Sequence, residues 1–144
     1  MDSYILFTDG SCSPNPGPGG WAAILRNDKG NDKIFTGNSK NTTNNRMEML
    51  AVLEPLESLN EPSEVLVIAD SEYVIKGLTT WMHSWKLKGW RRKAGKIENL
   101  EIWKRLDSQW EKHEIKTEWT RGHSGHKENE LCDKLANEAR EASF

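Results

Sequence analysis

The sequence predicts an α/β domain, a mixed β-sheet covered by helices. Two observations carry this. Residues 65–69, VLVIA, are an uninterrupted apolar run rich in β-branched residues. Such a run suits a strand buried on both faces at the centre of an α/β sheet. Around it, short apolar runs and segments of helical periodicity follow in the order βββαβααβα, which closes a mixed sheet under helices.

The first strand covers 4–8 (YILFT) and ends at Asp9-Gly10 and a Pro/Gly-rich turn, SPNPGPGG. Strands follow at 20–26 (GWAAILR) and 33–37 (KIFTG), with a hairpin connection within RNDKGND. A helix starts at Asn44 or Asn45, with Met47, Leu50, Ala51 and Leu53 on its apolar face. Pro55 is expected to kink or shorten it. The strand at 65–69 leads into helix from Ser71, and Trp81 to Lys88 is helical too. Residues 98–112 place Leu100, Trp103, Leu106 and Trp110 on one helical face, and 115–120 (IKTEWT) alternate like a half-buried strand. Leu131, Cys132, Leu135, Ala136 and Ala139 form the apolar stripe of a last helix.

The 144 residues fit one domain, 1–144, with a real core. No apolar run is long enough to span a bilayer, so no membrane association is expected. The N-terminus has no basic n-region and is not a secretory signal. Cys12 and Cys132 make no disulfide framework, and a reducing, cytoplasmic setting follows, with a monomer expected. Asn41-Thr42-Thr43 is read as a chance sequon. Net charge is −2, yet residues 76–96 carry +7 without a single acid, so the remainder carries −9. A basic lobe on an acidic body suggests a local polyanion contact.

Four acids stand where elements meet turns or helix edges: Asp9, Glu48, Asp70 and Asp133. Each has an ordinary explanation. Asp9 before glycine suits a turn. Glu48, three residues after Asn45, suits a capping box. Asp70 suits a helix N-cap, and Asp133 a solvated surface. Jointly they carry more. Ligand sites in open α/β sheets lie at strand carboxyl ends, where Asp9 and Asp70 both fall. If those strands are parallel neighbours, their carboxylates converge, and helices can deliver Glu48 and Asp133. Such a cluster is costly unless a cation neutralises it, and Mg²⁺ or Mn²⁺ suits oxygen ligands with open positions. Two cations ~3.5–4 Å apart would serve phosphodiester hydrolysis.

Trp81, Trp85 and Trp90 interleave with Lys86, Lys88, Arg91, Arg92 and Lys93 in a basic handle at about 81–96. Trp81 and Trp85, spaced i and i+4, can pack on each other or the core. They can also offer indole faces beside cations that meet phosphates. His123 and His126 lie in RGHSGH, either as ordinary loop histidines or, with Cys132, as a zinc site short of a fourth soft ligand. SPNPGPGG lets backbone approach a partner closely but lacks the Gly-Lys-Ser/Thr of a P-loop.

The segments TDGSC–NPGPGGW, TNNRMEM, ADSEYVIKG and GHSGHKENELCDKLA resemble a type 1 ribonuclease H of the bacterial form, in order, in spacing and over essentially the whole chain. The resemblance implies a ribonuclease H-like fold, a five-stranded mixed β-sheet flanked by α-helices. It implies an endonuclease that hydrolyses the RNA strand of RNA–DNA hybrids by two-metal-ion catalysis, leaving 5′-phosphate and 3′-hydroxyl ends. Asp9, Glu48, Asp70 and Asp133 would hold two Mg²⁺ ions, with Mn²⁺ able to substitute, and His123 would assist. The handle would grip the DNA strand. Cys12, Asn15, Asn44 and Asn45 match readers of 2′-hydroxyls, and Thr43 and Asn99 match a phosphate pocket. Glu72 departs from the bacterial pattern, which has Gln there, and an acid cannot donate to a minor-groove acceptor. Rival readings are a non-catalytic hybrid-binding module, another nuclease or recombinase of the same fold, and a domain cut from a reverse transcriptase. The presence of all four acids argues against the first, and the handle and NNRMEM against the second.

Overall fold

The computed structural model describes residues 1–121 and 126–143. Eleven-residue strands β1 (Asp2–Cys12), β2 (Gly17–Asn27) and β3 (Asp32–Thr42) form a meander. Helix α1 (Asn44–Glu57), strand β4 (Ser63–Ala69) and helix α2 (Glu72–Lys76) follow. A π-helical turn, Gly77–Trp81, joins α2 to α3 (Met82–Leu87). The chain ends with α4 (Leu100–Lys112), β5 (Glu114–Trp119) and α5 (Lys127–Glu141). The five strands form one sheet in the order β3-β2-β1-β4-β5. The β1–β2 and β2–β3 pairs are antiparallel, and β1–β4 and β4–β5 are parallel, so β1 is central and the sheet is mixed as expected.

Successive side chains of a strand point to opposite faces, and β1 shows it. Leu6 joins Ala23, Leu25, Val65 and Val67 beneath Met49, Val52 and Leu53 of α1 and Ile102, Trp103 and Leu106 of α4. Phe7 turns the other way and packs with Ile24, Ile68 and Cys132, the last from α5. Burying side chains of this size contributes about 1.5–3 kcal/mol each. Two glycines permit the closest approaches. A Cβ at Gly77 would stand 1.9 Å from the fully buried Trp103 ring, and one at Gly20 only 2.3 Å from the Arg140 nitrogen of α5.

Four local expectations are corrected. The first strand does not stop at Asp9-Gly10 but pairs with β2 as far as Cys12↔Gly19. Gly17 to Gly20 belong to β2, because their backbone groups pair with β1 and β3, which leaves only 13–16 for the turn. Pro55 does not shorten α1, which runs on to Glu57, since a proline in the last turn forfeits only one helical hydrogen bond. Leu131 leaves the apolar stripe of α5 and is 40% exposed. Cys12 and Cys132 are free thiols, and among the described residues no helix is long and apolar enough to cross a membrane.

Candidate active site

Register builds the centre of the site. Along the parallel β1–β4 pair, Tyr4 faces Val65 and Phe7 faces Ile68. Carried two residues further, that register sets Asp9 beside Asp70, just past the end of β4. The ordinary explanations for three of the acids fall away. Asp9 lies inside a strand, paired with Ala22. The N-cap of α2 is Ser71, whose Oγ accepts from the Val74 N–H at 3.2 Å, so Asp70 is not the cap. The N-cap of α1 is Thr43, whose Oγ1 accepts from the Arg46 N–H at 3.2 Å. Glu48 therefore falls beyond the first turn and is only 3% exposed.

One carboxylate oxygen from each of Asp9, Glu48 and Asp70 lies within 4.8 Å of the others. The Gly10 N–H donates to Asp9 Oδ1 at 2.9 Å and also to Glu48 Oε1. Glu48 Oε2 is buried and meets no donor. Burial, and then the Asp70 charge, push the Asp9 carboxyl up to about 7. A hydrogen bond with Asp133 adds to the rise, while Glu48 and the Gly10 N–H oppose it. Burial, with Asp9 and Asp70, holds Glu48 well above the usual carboxylate range. Three crowded acids, one with a donorless buried oxygen, fit a hard divalent cation. Such ions take oxygens at about 2.0–2.6 Å, so two oxygens of one ion stand at most roughly 5 Å apart.

Asp133 is half-buried on α5 and within hydrogen-bonding reach of Asp9, but outside the three-acid group. His123 lies outside the described residues. Two contributors escaped the sequence reading. Gly10 is a backbone donor rather than a turn residue. Trp119, at the end of β5, donates its indole N–H to the Asp70 carbonyl at 3.1 Å while its ring stays 43% exposed. Its place directly after the alternating IKTE was the available signal.

Beside the acids, Asn15 Oδ1 accepts from the Asn44 N–H at 3.2 Å, and Cys12 Sγ lies 3.5 Å from the Thr42 carbonyl. This gathers Cys12, Asn15, Thr43, Asn44 and Asn45 around the start of α1. Arg46 ties Thr43 to Asn99, since its N–H reaches Thr43 and its Nη1 reaches Asn99 Oδ1 at 3.4 Å and Glu101 at 2.6 Å. Sequence reasoning missed this bridge. Glu72 is exposed and pairs with Lys76 at 3.5 Å.

Trp81 and Trp85 are half-buried in an aromatic cluster with Tyr73 and Trp103, at centroid distances of 5.6–6.2 Å. An open cleft of about 470 Å³ is lined by Tyr73, Trp81, Trp85, Arg92 and Glu98. Trp90 packs partly against the core, and its N–H donates to the Trp85 carbonyl at 2.7 Å. Lys86 differs from its neighbours, because its ammonium pairs with Asp107 at 2.9 Å and with Glu111. Among the described residues, Lys88, Arg91, Arg92 and Lys93 have no carboxylate partner. Arg92 instead donates to the carbonyls of Gly95 and Lys96.

A family model described as RNase H matches residues 1–141. The chain is 49% identical over 142 residues to a protein named Ribonuclease H from Aliivibrio salmonicida (strain LFI1238), covering 98% of this chain and 90% of that one. It is 51% identical over 135 residues to Ribonuclease H from Escherichia coli O9:H4 (strain HS), covering 93% and 86%. Among solved structures, LC9-RNase H1, a type 1 RNase H with the type 2 active-site motif, superposes with TM-score 0.87 at 30% identity, covering 100% of this chain and 74% of that one. LC11-RNase H1 in complex with RNA/DNA hybrid gives 0.70 at 23% identity, covering 97% and 98%, a likeness of fold. The family match over residues 1–141 and about 50% identity to the Ribonucleases H of Aliivibrio salmonicida and Escherichia coli, on a mixed sheet that carries an acid cluster, place the chain in one family: it belongs to the ribonuclease H family.

Proposed function

We propose that the chain is an endonuclease that hydrolyses the RNA strand of RNA–DNA hybrids, leaving 5′-phosphate and 3′-hydroxyl ends. The observation that carries this reading is the cluster of Asp9, Glu48 and Asp70, with Glu48 Oε2 buried and donorless, in a chain of this family. With Asp133, these acids would hold two divalent cations, Mg²⁺ with Mn²⁺ able to substitute. When bound, such cations acidify a water molecule and neutralise charge developing on the phosphate. The chain's own groups prepare for this. The Gly10 N–H fixes Glu48 Oε1, and Trp119 holds the backbone of Asp70. Burial and mutual charge raise the Asp9 carboxyl to about 7 and Glu48 in the same direction, so a cation binding there would relieve their repulsion and displace the proton that Asp9 partly holds near neutral pH. His123 relays a proton or helps product leave.

Hybrid recognition needs a reader of 2′-hydroxyls on the cut strand, assigned to Cys12, Asn15, Asn44 and Asn45. Thr43 and Asn99, bridged by Arg46, take a phosphate of the DNA strand. Trp81 and Trp85 offer ring faces to its sugars, and Lys88, Arg91, Arg92 and Lys93 meet its phosphates. Lys86 is withdrawn from that set by its pairing with Asp107 and Glu111. The free thiols suit a monomer working in the cytoplasm. The reading is tested with end-labelled hybrid, duplex RNA and duplex DNA, each with Mg²⁺ and with chelator. Only the hybrid should be cut, only in its RNA strand and only with the cation; cleavage of duplex DNA would overturn it.

A further inference from the structure

Helix α5 brings Asp133 to the edge of the acid cluster, and the contacts along that helix set how closely it approaches. Asp9 and Ser11 lie two residues apart on β1 and point to one face of the sheet. Asp133 and Asn137 lie four apart on α5 and share one face of the helix. Two strand residues span about 6.6 Å and four helical residues about 6 Å, so both pairs can meet at once. Both do. Asp133 is within hydrogen-bonding reach of Asp9, and Ser11 Oγ donates to Asn137 Oδ1 at 2.6 Å. Arg140 Nη1 donates to the same Ser11 Oγ at 2.8 Å. The hydroxyl thus has its proton and a lone pair committed at once, which fixes its rotamer. Arg140 Nε is buried without an acceptor, a cost the fold accepts to keep the guanidinium on Ser11. Beneath this contact, Gly20 admits the helix backbone, since a Cβ there would stand 2.4 Å from the Ala136 carbonyl oxygen.

We infer that Ser11, Asn137 and Arg140 are positioning residues whose relay sets how deeply α5 delivers Asp133 to the acid cluster, and so sets the affinity for the divalent cation. The inference rests on the metal-dependent reading above. It is tested by titrating Mg²⁺ alone into Ser11→Ala and Asn137→Ala by calorimetry, beside hybrid cleavage and melting in chelator. The Mg²⁺ Kd should rise roughly tenfold in each variant, the low end for groups that orient metal ligands. Turnover should fall by a similar factor while KM for the hybrid holds. The double variant should lose little more than either single one, because both remove the same hydrogen bond. Ser11→Thr, which keeps the hydroxyl, should recover most of the loss. Unchanged Mg²⁺ affinity with a lowered Tm would reduce the relay to a structural tie and overturn the inference. So would equal losses in Ser11→Ala and Ser11→Thr. Failure of the functional reading would show in the original chain, as no Mg²⁺ binding and no hybrid cleavage, and would take the relay with it. Failure of the relay alone shows only in the variants.

Discussion

The backbone N–H of Gly10 donates to Glu48 Oε1, and a Cβ at position 10 would stand 2.6 Å from the Glu48 nitrogen. Strand β1 and helix α1 can be this close only because residue 10 has no side chain. Gly10→Ala must therefore push the start of α1 away, at about 1–3 kcal/mol for overpacking. Tm should fall by several degrees. Turnover should fall more steeply than stability, since Glu48 moves with the helix. Wild-type turnover in a destabilised Gly10→Ala would show that this contact does not position Glu48.

Protonation gives the second prediction. The Asp9 carboxyl is raised to about 7, so in chelator its contribution to stability is fully present below pH 4 and is lost as pH rises through about 7. His113 acts in the opposite sense. Burial, with Lys112 nearby, lowers its pKa, so its contribution is present above about pH 6.5 and fades as pH falls. Comparing the original chain with Asp9→Asn cancels His113. The variant should melt higher in chelator at pH 8, and its advantage should shrink toward pH 5. Adding Mg²⁺ should stabilise the original chain more than the variant. A variant that melts lower than the original at pH 8 in chelator would contradict mutual repulsion among the acids.

In the handle, Lys86 and its neighbours should separate. Neutralising Lys88, Arg91, Arg92 and Lys93 should raise KM more than it lowers kcat, and should flatten the salt dependence of hybrid binding by about one unit of slope per lost phosphate contact. Lys86→Gln should leave that slope nearly unchanged and lower Tm, because it strips Asp107 of its partner. Salt titrations of binding, with melts of the same proteins, check both. A slope lost in Lys86→Gln would return this lysine to the substrate surface.

Gly77→Ala probes the root of the handle. The added methyl carbon would fall 1.9 Å from the Trp103 ring, inside a core that cannot yield without moving Tyr73 and Trp85. A loss of about 3 kcal/mol or more is expected, at the upper end for overpacking. Near-UV circular dichroism should change along with Tm. An unchanged Tm would show that Trp103 has another place to go.

Much of this was legible in the chain. VLVIA announced an inner strand, and Asp9 and Asp70, read as the ends of two parallel strands, announced the cluster, although β1 runs on past Asp9 to Cys12. What the residues alone could not fix was pairing. Gly17 to Gly20 look like turn because glycine and proline favour turns, yet β1, β3 and α5 recruit their backbone into a strand. Asp70 and Ser71 both suit an N-cap, and only the fold decides that the serine takes it and leaves the acid to the site. Lys86 looks like its basic neighbours because its partners, Asp107 and Glu111, come from a helix about twenty residues on. Ser11, Asn137 and Arg140 are ordinary residues until a strand and a distant helix bring them together.

The central claim is that carboxylates at the end of the sheet hold the cations that cut RNA. The most direct measurement is hybrid cleavage by Asp70→Asn in saturating Mg²⁺, with hybrid binding measured on the same protein. Losing one carboxylate of the cluster should cost several kcal/mol of transition-state stabilisation, roughly a thousandfold or more in turnover, while hybrid affinity holds. Robust cleavage by Asp70→Asn, or loss of binding in place of turnover, would contradict the account.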